Sequence, residues 1–180
     1  EGIEPSPIQS LPRELALQEN GKLSIKPLHE LKTLRYDLSS QSDLTSTVTD
    51  QIELEVSGDA LELLFRIKSP VPDDFSLFFN DSQSDEVLLK IEGGGKHSHM
   101  GINKINPEFQ IGASEDLNLR IFIDKRIVEV FMNDRQAAAV AIDTVPQSMT
   151  IEGQTNDKPL LLKEFKVWKM KSIYNSAYEN

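Results

Sequence analysis

Short segments in which apolar and polar residues alternate constrain the fold of this chain more than any other feature. In QIELEVS, Ile52, Leu54 and Val56 alternate with polar residues, and LELLFRI, LNLRIFI, IVEVFM and LLLKEFKVWKM continue the pattern. Because successive side chains of a strand point to opposite faces, this period of two predicts strands that bury one face. Clusters of Pro, Gly, Asn, Asp and Ser separate the segments. Many short strands with regular turns predict an all-β fold, a jelly-roll or concanavalin-like sandwich of two antiparallel sheets.

The N-terminal region has a different pattern. EGIEPSPIQSLPREL contains three prolines and few large apolar residues, which predicts an extended arm over residues 1–18. GKLSIKP then predicts a short strand, and Leu28, Leu31 and Leu34 share one face of one or two helical turns. We therefore expect an arm at 1–18, a sandwich domain at 19–174 and a C-terminal tail at 175–180.

Charge and composition exclude several functions. The chain has 29 acidic and 19 basic residues, a formal net charge of −10 and no cysteine. This acidity argues against nucleic acid or an anionic membrane as a partner and is compatible with a neutral ligand such as a sugar. The absence of cysteine excludes a disulfide framework, thiolate metal ligands and a cysteine nucleophile. No segment reaches the roughly 18 apolar residues of a membrane span.

Two carboxylates stand out in LRIFIDKRIVEVFMND, residues 119–134. The alternation predicts a β-hairpin with Asp124 at its turn, where the side chain can bond the following backbone amides. Glu129 falls within the returning strand, on the same face as the apolar Phe131. A carboxylate in such surroundings needs a partner, and Arg120 or Arg126 across the hairpin is the expected one. We interpret Asp124, Glu129 and Phe131 as structural residues of the hairpin.

Candidate metal and phosphate sites are incomplete. His97 and His99 have the spacing of two metal ligands, but the third histidine, His29, is distant in sequence. The acidic segment 81–92 has Glu86 where a calcium-binding EF-hand loop requires glycine. The glycine triplet at 93–95 is not followed by the Lys-Ser or Lys-Thr of a phosphate-binding loop. We assign no catalytic residue, no cofactor and no metal to this chain.

Three blocks of the sequence carry a resemblance to a known family. LPRELAL followed by NGKLSIKPLHELKTLR, then LRIFIDKRIVEVFMND, then VWKMKSIY occur in order over residues 11–174. This arrangement resembles the C-terminal β-sandwich of glycoside hydrolase family 32, the invertase, levanase and inulinase group. The chain departs from the family at Arg135, which replaces the glycine of an Asn-Asp-Gly turn, and over residues 70–115, which align poorly.

The resemblance implies that catalysis takes place in a five-bladed β-propeller that precedes this domain in the same polypeptide. The propeller's Trp-Met-Asn-Asp-Pro, Arg-Asp-Pro and Glu-Cys motifs do not occur here, so neither Asp124 nor Glu129 inherits a catalytic role. This chain alone is then not an enzyme. Its parent would be a retaining β-fructofuranosidase acting on sucrose, levan or inulin, and we expect it to be secreted, periplasmic or at the cell surface.

The resemblance also assigns the arm and connector to an interface with the propeller. The residues expected there are Pro12, Arg13, Glu14, Leu15, Leu28, Leu31 and Leu34. Two other roles remain open. A stand-alone carbohydrate-binding module that recognises fructan or another sugar would use Tyr36, Tyr174, Tyr178 and Trp168 as its aromatic platform. An oligomerisation domain would form a homo-oligomer.

Overall fold

The computed structural model of this protein describes residues 9–19, 21–46, 52–84, 86–94, 100–156 and 158–172. Strands and one short 3-10 helix make up its secondary structure. In chain order they are β1 (Arg13–Leu17), β2 (Leu23–Pro27), the 3-10 helix (His29–Leu34), β3 (Arg35–Ser46), β4 (Ile52–Ser57), β5 (Ala60–Ile67), β6 (Phe75–Asp81), β7 (Val87–Gly93), β8 (Gly101–Ile102), β9 (Leu117–Asp124), β10 (Ile127–Met132), β11 (Gln136–Ala141), β12 (Ser148–Thr155) and β13 (Leu160–Met170).

Two antiparallel sheets pack face to face. The six-stranded sheet has the order β11-β10-β9-β5-β13-β3, and the five-stranded sheet has the order β4-β12-β6-β7-β8. Their inner faces form one apolar core, in which Phe65 of β5 contacts Phe79 of β6 edge to face with 6.0 Å between ring centroids. The predicted all-β sandwich of two antiparallel sheets is confirmed.

The alternation in the sequence separates the two faces of the six-stranded sheet. Strand β9 buries Leu117, Leu119, Ile121 and Ile123 in the core between the sheets. Phe122, which alternates with them, belongs to a separate apolar cluster on the opposite side of the sheet. We call that opposite side the outer face. An extended strand projects alternate side chains to opposite sides, so the core residues of this sheet are predictable from the sequence.

The predicted hairpin is formed by β9 and β10. Ile123 lies opposite Val128, and Asp124 lies opposite Ile127. Lys125 has φ 54° in the turn between the strands. Asp124 is exposed at the end of β9. The hairpin therefore directs Glu129 and Phe131 to the outer face.

The N-terminal segment lies on the outer face. Strands β1 and β2 form a two-stranded antiparallel sheet, in which Arg13–Leu17 pairs with Leu23–Pro27. Residue 18, the expected end of the arm, lies between these two strands. Ile25 of β2 donates its backbone N–H to the carbonyl oxygen of Asp134 in the turn between β10 and β11, over 2.8 Å. The strand predicted in GKLSIKP is β2, and the predicted helical turns are the 3-10 helix, which buries Leu31.

Candidate domain interface

A row of side chains crosses the outer face at right angles to the strands. The row consists of Trp168, Glu62, Phe122, Glu129 and Ala139, from β13, β5, β9, β10 and β11 respectively. Glu62 is 0% exposed and Glu129 is 2% exposed. A buried carboxylate is costly unless it is paired, so the partners of these two residues define the chemistry of this face.

Glu129 binds the N-terminal arm. The backbone N–H of Leu11 donates to Glu129 Oε1 over 2.5 Å, and Arg13 Nη2 donates to Glu129 Oε2 over 2.6 Å. The Arg13 guanidinium also lies 5.4 Å from the centroid of the Phe131 ring. Both carboxylate oxygens are therefore used by the arm, and we refer to this set of contacts as the Glu129 clasp.

The predicted partner of Glu129 is wrong. Arg120 lies opposite Phe131 in the β9–β10 register, and its Nε donates to Glu62 on the neighbouring strand β5. Arg126 lies in the turn and donates from Nε to the carbonyl oxygen of Ile142 over 3.2 Å. The hairpin thus offers Glu129 no arginine of its own, because one is taken by β5 and the other by the backbone after β11.

Glu62 forms a second buried ion-pair group. Arg35 donates from Nε to Glu62 Oε2 over 2.7 Å and from Nη2 to Oε1 over 2.5 Å. Arg120 Nε donates to the same Oε1 over 2.5 Å. The Arg35 guanidinium lies 4.0 Å from the centroid of the Trp168 ring. Because two cations share one carboxylate, this group fixes the start of β3 against β5 and β9.

One feature of the sequence points to the Glu62 group. Glu62 interrupts the apolar run LELLF just as Glu129 interrupts IVEVF, and in both places the acidic residue is buried. Its partner Arg35 is 27 residues away along the chain, so no local pattern identifies the pair. An acidic residue on the outer face of an apolar strand is the detectable signal.

An apolar cluster lies beside the two ion-pair groups. Leu31, Phe122 and Phe131 are buried there, and the two rings meet edge to face at 5.9 Å and 81°. Their partly buried neighbours are Leu11, Ile25, Leu28, Leu34, Ala137 and Met170. We call these nine residues the outer cluster. The N-terminal segment contributes most of them, so it covers the outer face with apolar contacts as well as ion pairs.

The residues predicted to lie at a domain interface divide into two sets. The set bound to the outer face consists of Arg13, Leu28, Leu31 and Leu34. The exposed set consists of Pro12, Glu14 and Leu15. The first set anchors the N-terminal segment to its own domain, and the second is available for contact with something else.

The outer face has no unpaired buried carboxylate among its described residues. Both buried carboxylates are paired with arginine, and no group of three or more His, Cys, Asp or Glu in the described ranges could hold a metal ion. His29 is exposed, and His97 and His99 lie outside the described residues. Within the part of the chain that is described, no helix has the length and apolarity to cross a membrane. The arrangement can bind and orient a chain segment.

Comparison with known proteins identifies the domain. Residues 18–169 match the profile of the family described as glycosyl hydrolases family 32 C terminal. The chain is 30% identical over 137 residues to a sucrose-6-phosphate hydrolase of Escherichia coli, covering 71% of this chain and 27% of the relative.

Solved structures show the same fold. An exo-inulinase from Aspergillus awamori matches with a TM-score of 0.70 and 11% identity, over 92% of this chain and 36% of that one. A sucrose-6-phosphate hydrolase from Lactobacillus gasseri matches with a TM-score of 0.65 and 19% identity, over 90% and 33%. This protein thus spans about a third of the length of these structures and about a quarter of the curated relative. With a family profile that matches most of its length, the chain belongs to glycosyl hydrolase family 32, as the C-terminal β-sandwich domain of that family.

Proposed function

We propose that this domain is the non-catalytic C-terminal module of an enzyme that cleaves β-fructosyl bonds, and that it stabilises the catalytic domain of the same polypeptide. The names of the similar proteins support the reaction class, since they include a sucrose-6-phosphate hydrolase, an exo-inulinase and a fructan 1-exohydrolase. The parent enzyme would be a retaining glycosidase. Its nucleophile and its acid/base would be two carboxyl groups about 5–5.5 Å apart, contributed by the preceding domain.

The Glu129 clasp is the observation that carries this proposal. It holds Leu11 and Arg13 against a rigid sheet, so a domain that precedes the arm is attached at a fixed point. The outer cluster strengthens the attachment through Leu31, which is only 9% exposed. A linker that is bound along its length transmits orientation, whereas a free linker would leave two domains independent.

The complete polypeptide tests the reaction class. We expect it to release fructose from at least one of sucrose, sucrose 6-phosphate, levan and inulin. Failure with all four substrates would refute the proposed activity. The products of a single turnover in methanol separate the retaining mechanism from inversion, because retention gives a β-fructoside.

A matched pair of variants tests the stabilising role. Leu31→Asp places a charge in the outer cluster, and Leu38→Asp makes the same change at a site that is 56% exposed. We expect Leu31→Asp to lower the temperature at which fructose release is lost by about 5 °C or more, since a buried unpaired charge costs several kcal/mol. Leu38→Asp should leave that temperature unchanged. Equal behaviour of the two variants would refute the role of the anchored arm.

The structure weakens the alternative of a sugar platform. One face of the Trp168 ring is covered by the Arg35 guanidinium at 4.0 Å, so that face cannot stack on a sugar. Tyr36 is 45% exposed, and Tyr174 and Tyr178 lie outside the described residues. Titration of the domain with levan and inulin oligosaccharides, followed by Trp168 fluorescence, separates this alternative from the proposed function.

A further inference from the structure

The turn between β10 and β11 holds the hairpin of β1 and β2 through one carbonyl group. Ile25 N–H and Ser24 Oγ both donate to the carbonyl oxygen of Asp134, over 2.8 and 3.1 Å. Ser24 is buried, so its hydroxyl would lose a hydrogen bond at a cost if this carbonyl turned away. A two-stranded hairpin alone is only marginally stable in water. The direction of the Asp134 carbonyl therefore contributes directly to how firmly β2 is attached to the sandwich.

The backbone around this carbonyl has a conformation that neighbouring contacts must hold. Asn133 has φ 46° and Asp134 has φ 54°, in the left-handed region that Asn and Asp adopt more readily than most residues, but at some cost. Arg135 N–H closes the turn by donating to the carbonyl oxygen of Met132 over 2.9 Å. Such conformations persist where surrounding contacts fix them. The contacts of Asn133 and Arg135, on either side of Asp134, are therefore the ones that orient its carbonyl.

Contacts from both of these residues converge on Glu115, in the segment of residues 103–116 that joins β8 to β9. Asn133 Nδ2 donates to Glu115 Oε1 over 2.7 Å, and Arg135 Nη2 donates to Glu115 Oε2 over 3.1 Å. The carboxylate is itself fixed by the backbone N–H of Gly112, which donates to Oε2 over 3.0 Å. One carboxylate thus binds the residue before Asp134 and the residue after it.

The other contacts of the turn come from β9 and from the same segment. Asn133 Oδ1 accepts the backbone N–H of Asn118 over 2.6 Å, and Asn133 Nδ2 also donates to the carbonyl oxygen of Asp116 over 3.0 Å. The Arg135 guanidinium lies 5.2 Å from the centroid of the ring of Phe109, which is buried. Each of these contacts holds one side of the turn, whereas the Glu115 carboxylate joins both sides.

We propose that Glu115 is a positioning residue that couples the segment 103–116 to the β1–β2 hairpin, because it orients the Asp134 carbonyl that binds β2. Without its carboxylate the turn loses the bridge between Asn133 and Arg135, and the hairpin opens from the sandwich more often. The sandwich stays folded during this opening, since the core between the sheets contains none of these four residues. The hairpin is thus a local unit with an open and a closed state, and segment 103–116 biases the equilibrium between them. This coupling does not depend on the proposed enzyme activity.

Amide hydrogen exchange in the complete polypeptide tests the coupling. The Ile25 amide reports opening of the hairpin, and the Leu63 amide, in β5 between β13 and β9, reports opening of the sandwich. We expect Glu115→Ala to speed exchange at Ile25 by about tenfold, because the closed state of the hairpin is weakened. Glu115→Gln keeps an oxygen that can accept from Asn133 and should give a smaller increase. It also serves as the test variant if Glu115→Ala does not fold.

Two control variants separate this coupling from a general loss of stability. Ile151→Val shortens a side chain of the core, so it should speed exchange at Leu63 and leave exchange at Ile25 unchanged. Glu108→Ala removes an exposed carboxylate from the same segment and should affect neither amide.

The proposal is supported if the Glu115 variants speed exchange at Ile25 and neither control does. Unchanged exchange at Ile25 in Glu115→Ala would overturn it. An equal increase at Ile25 in Ile151→Val would also overturn it, because the hairpin would then open only together with the sandwich. An equal increase in Glu108→Ala would assign the effect to net charge instead of to the contacts of Glu115.

Discussion

Arg13 and Glu129 form an ion pair of 2.6 Å although 116 residues separate them in the chain. Arg13 is 26% exposed and Glu129 is 2% exposed, so the cation keeps contact with solvent while the carboxylate is buried between the sheet and the arm. The pair joins the N-terminal arm to β10, the second strand from one edge of the six-stranded sheet. Its disruption should therefore affect the arm and the sheet together.

A double-mutant cycle measures this coupling. Glu129→Ala removes the carboxylate that binds Leu11 and Arg13, and Arg13→Ala leaves the carboxylate buried without its cation. We expect each change to lower the free energy of unfolding by about 3 kcal/mol, the lower end of the range for a broken buried pair. The loss of unfolding free energy in the double variant should be smaller than the sum of the two single losses, by at least about 1 kcal/mol. Urea unfolding gives these values, and strictly additive losses would show that the two residues do not interact.

The fold can be predicted from the sequence, but the ion-pair partners on the outer face cannot. Alternation along β9 and β10 identifies which side chains enter the core, because it is a local property of extended chain. The partner of Glu129 is set by how the arm crosses the sheet, which depends on contacts between Leu31, Phe122 and Phe131. Arg120 and Arg126 are the arginines nearest to Glu129 along the hairpin, so the sequence predicts one of them as its partner. Long-range ion pairs need the tertiary structure.

Arg35→Lys should destabilise the domain although it conserves charge. Arg35 donates two hydrogen bonds to Glu62 and stacks on Trp168, and an ammonium group reproduces neither geometry. We expect a loss of about 1–2 kcal/mol in urea unfolding and a shifted emission of Trp168, the single tryptophan in the sequence.

Arg66→Lys is the control for this change. Arg66 is 41% exposed and its Nη2 lies 3.8 Å from Glu164, a surface pair that should contribute less than about 0.5 kcal/mol. If Arg66→Lys destabilised the domain as much as Arg35→Lys, the contacts of the Arg35 guanidinium with Glu62 and Trp168 would not contribute more to stability than a surface ion pair.

Gly94→Ala should be severely destabilising. Gly94 is buried just after β7, and a Cβ atom there would lie 2.0 Å from the carbonyl oxygen of Asp73 and 2.6 Å from that of Pro72. Both contacts are with backbone, so no side chain can rotate away, and we expect a loss of more than about 3 kcal/mol. In Gly112→Ala the new Cβ atom would come no closer than 3.5 Å to its nearest neighbour, Glu115. This variant should change stability by less than about 0.5 kcal/mol. Comparable melting temperatures for the two variants would contradict this prediction.

The surroundings of Glu115, which include Arg135, predict a dependence of stability on pH. Arg135 Nη2 donates to the carbonyl oxygen of Gln110 over 3.0 Å and to Glu115 Oε2 over 3.1 Å. Burial raises the pKa of Glu115, but hydrogen bonds from Gly112 and Asn133 and the charge of Arg135 outweigh it, so the pKa lies below its ordinary value of 4.5. The ionised carboxylate therefore stabilises the folded state at neutral pH.

This stabilisation should be lost on acidification. Because the pKa is lower in the folded state, the contribution is fully present well above pH 4.5 and declines as the pH falls from there through the folded-state pKa. Glu115→Gln should therefore destabilise the domain at pH 7 and flatten its loss of stability below pH 4.5, as measured by urea unfolding at both pH values. Glu108→Gln makes the same charge change at an exposed site and controls for net charge. If Glu115→Gln lost as much stability below pH 4.5 as the unchanged protein, the interactions of Glu115 with Arg135 and its neighbours would not account for the loss on acidification.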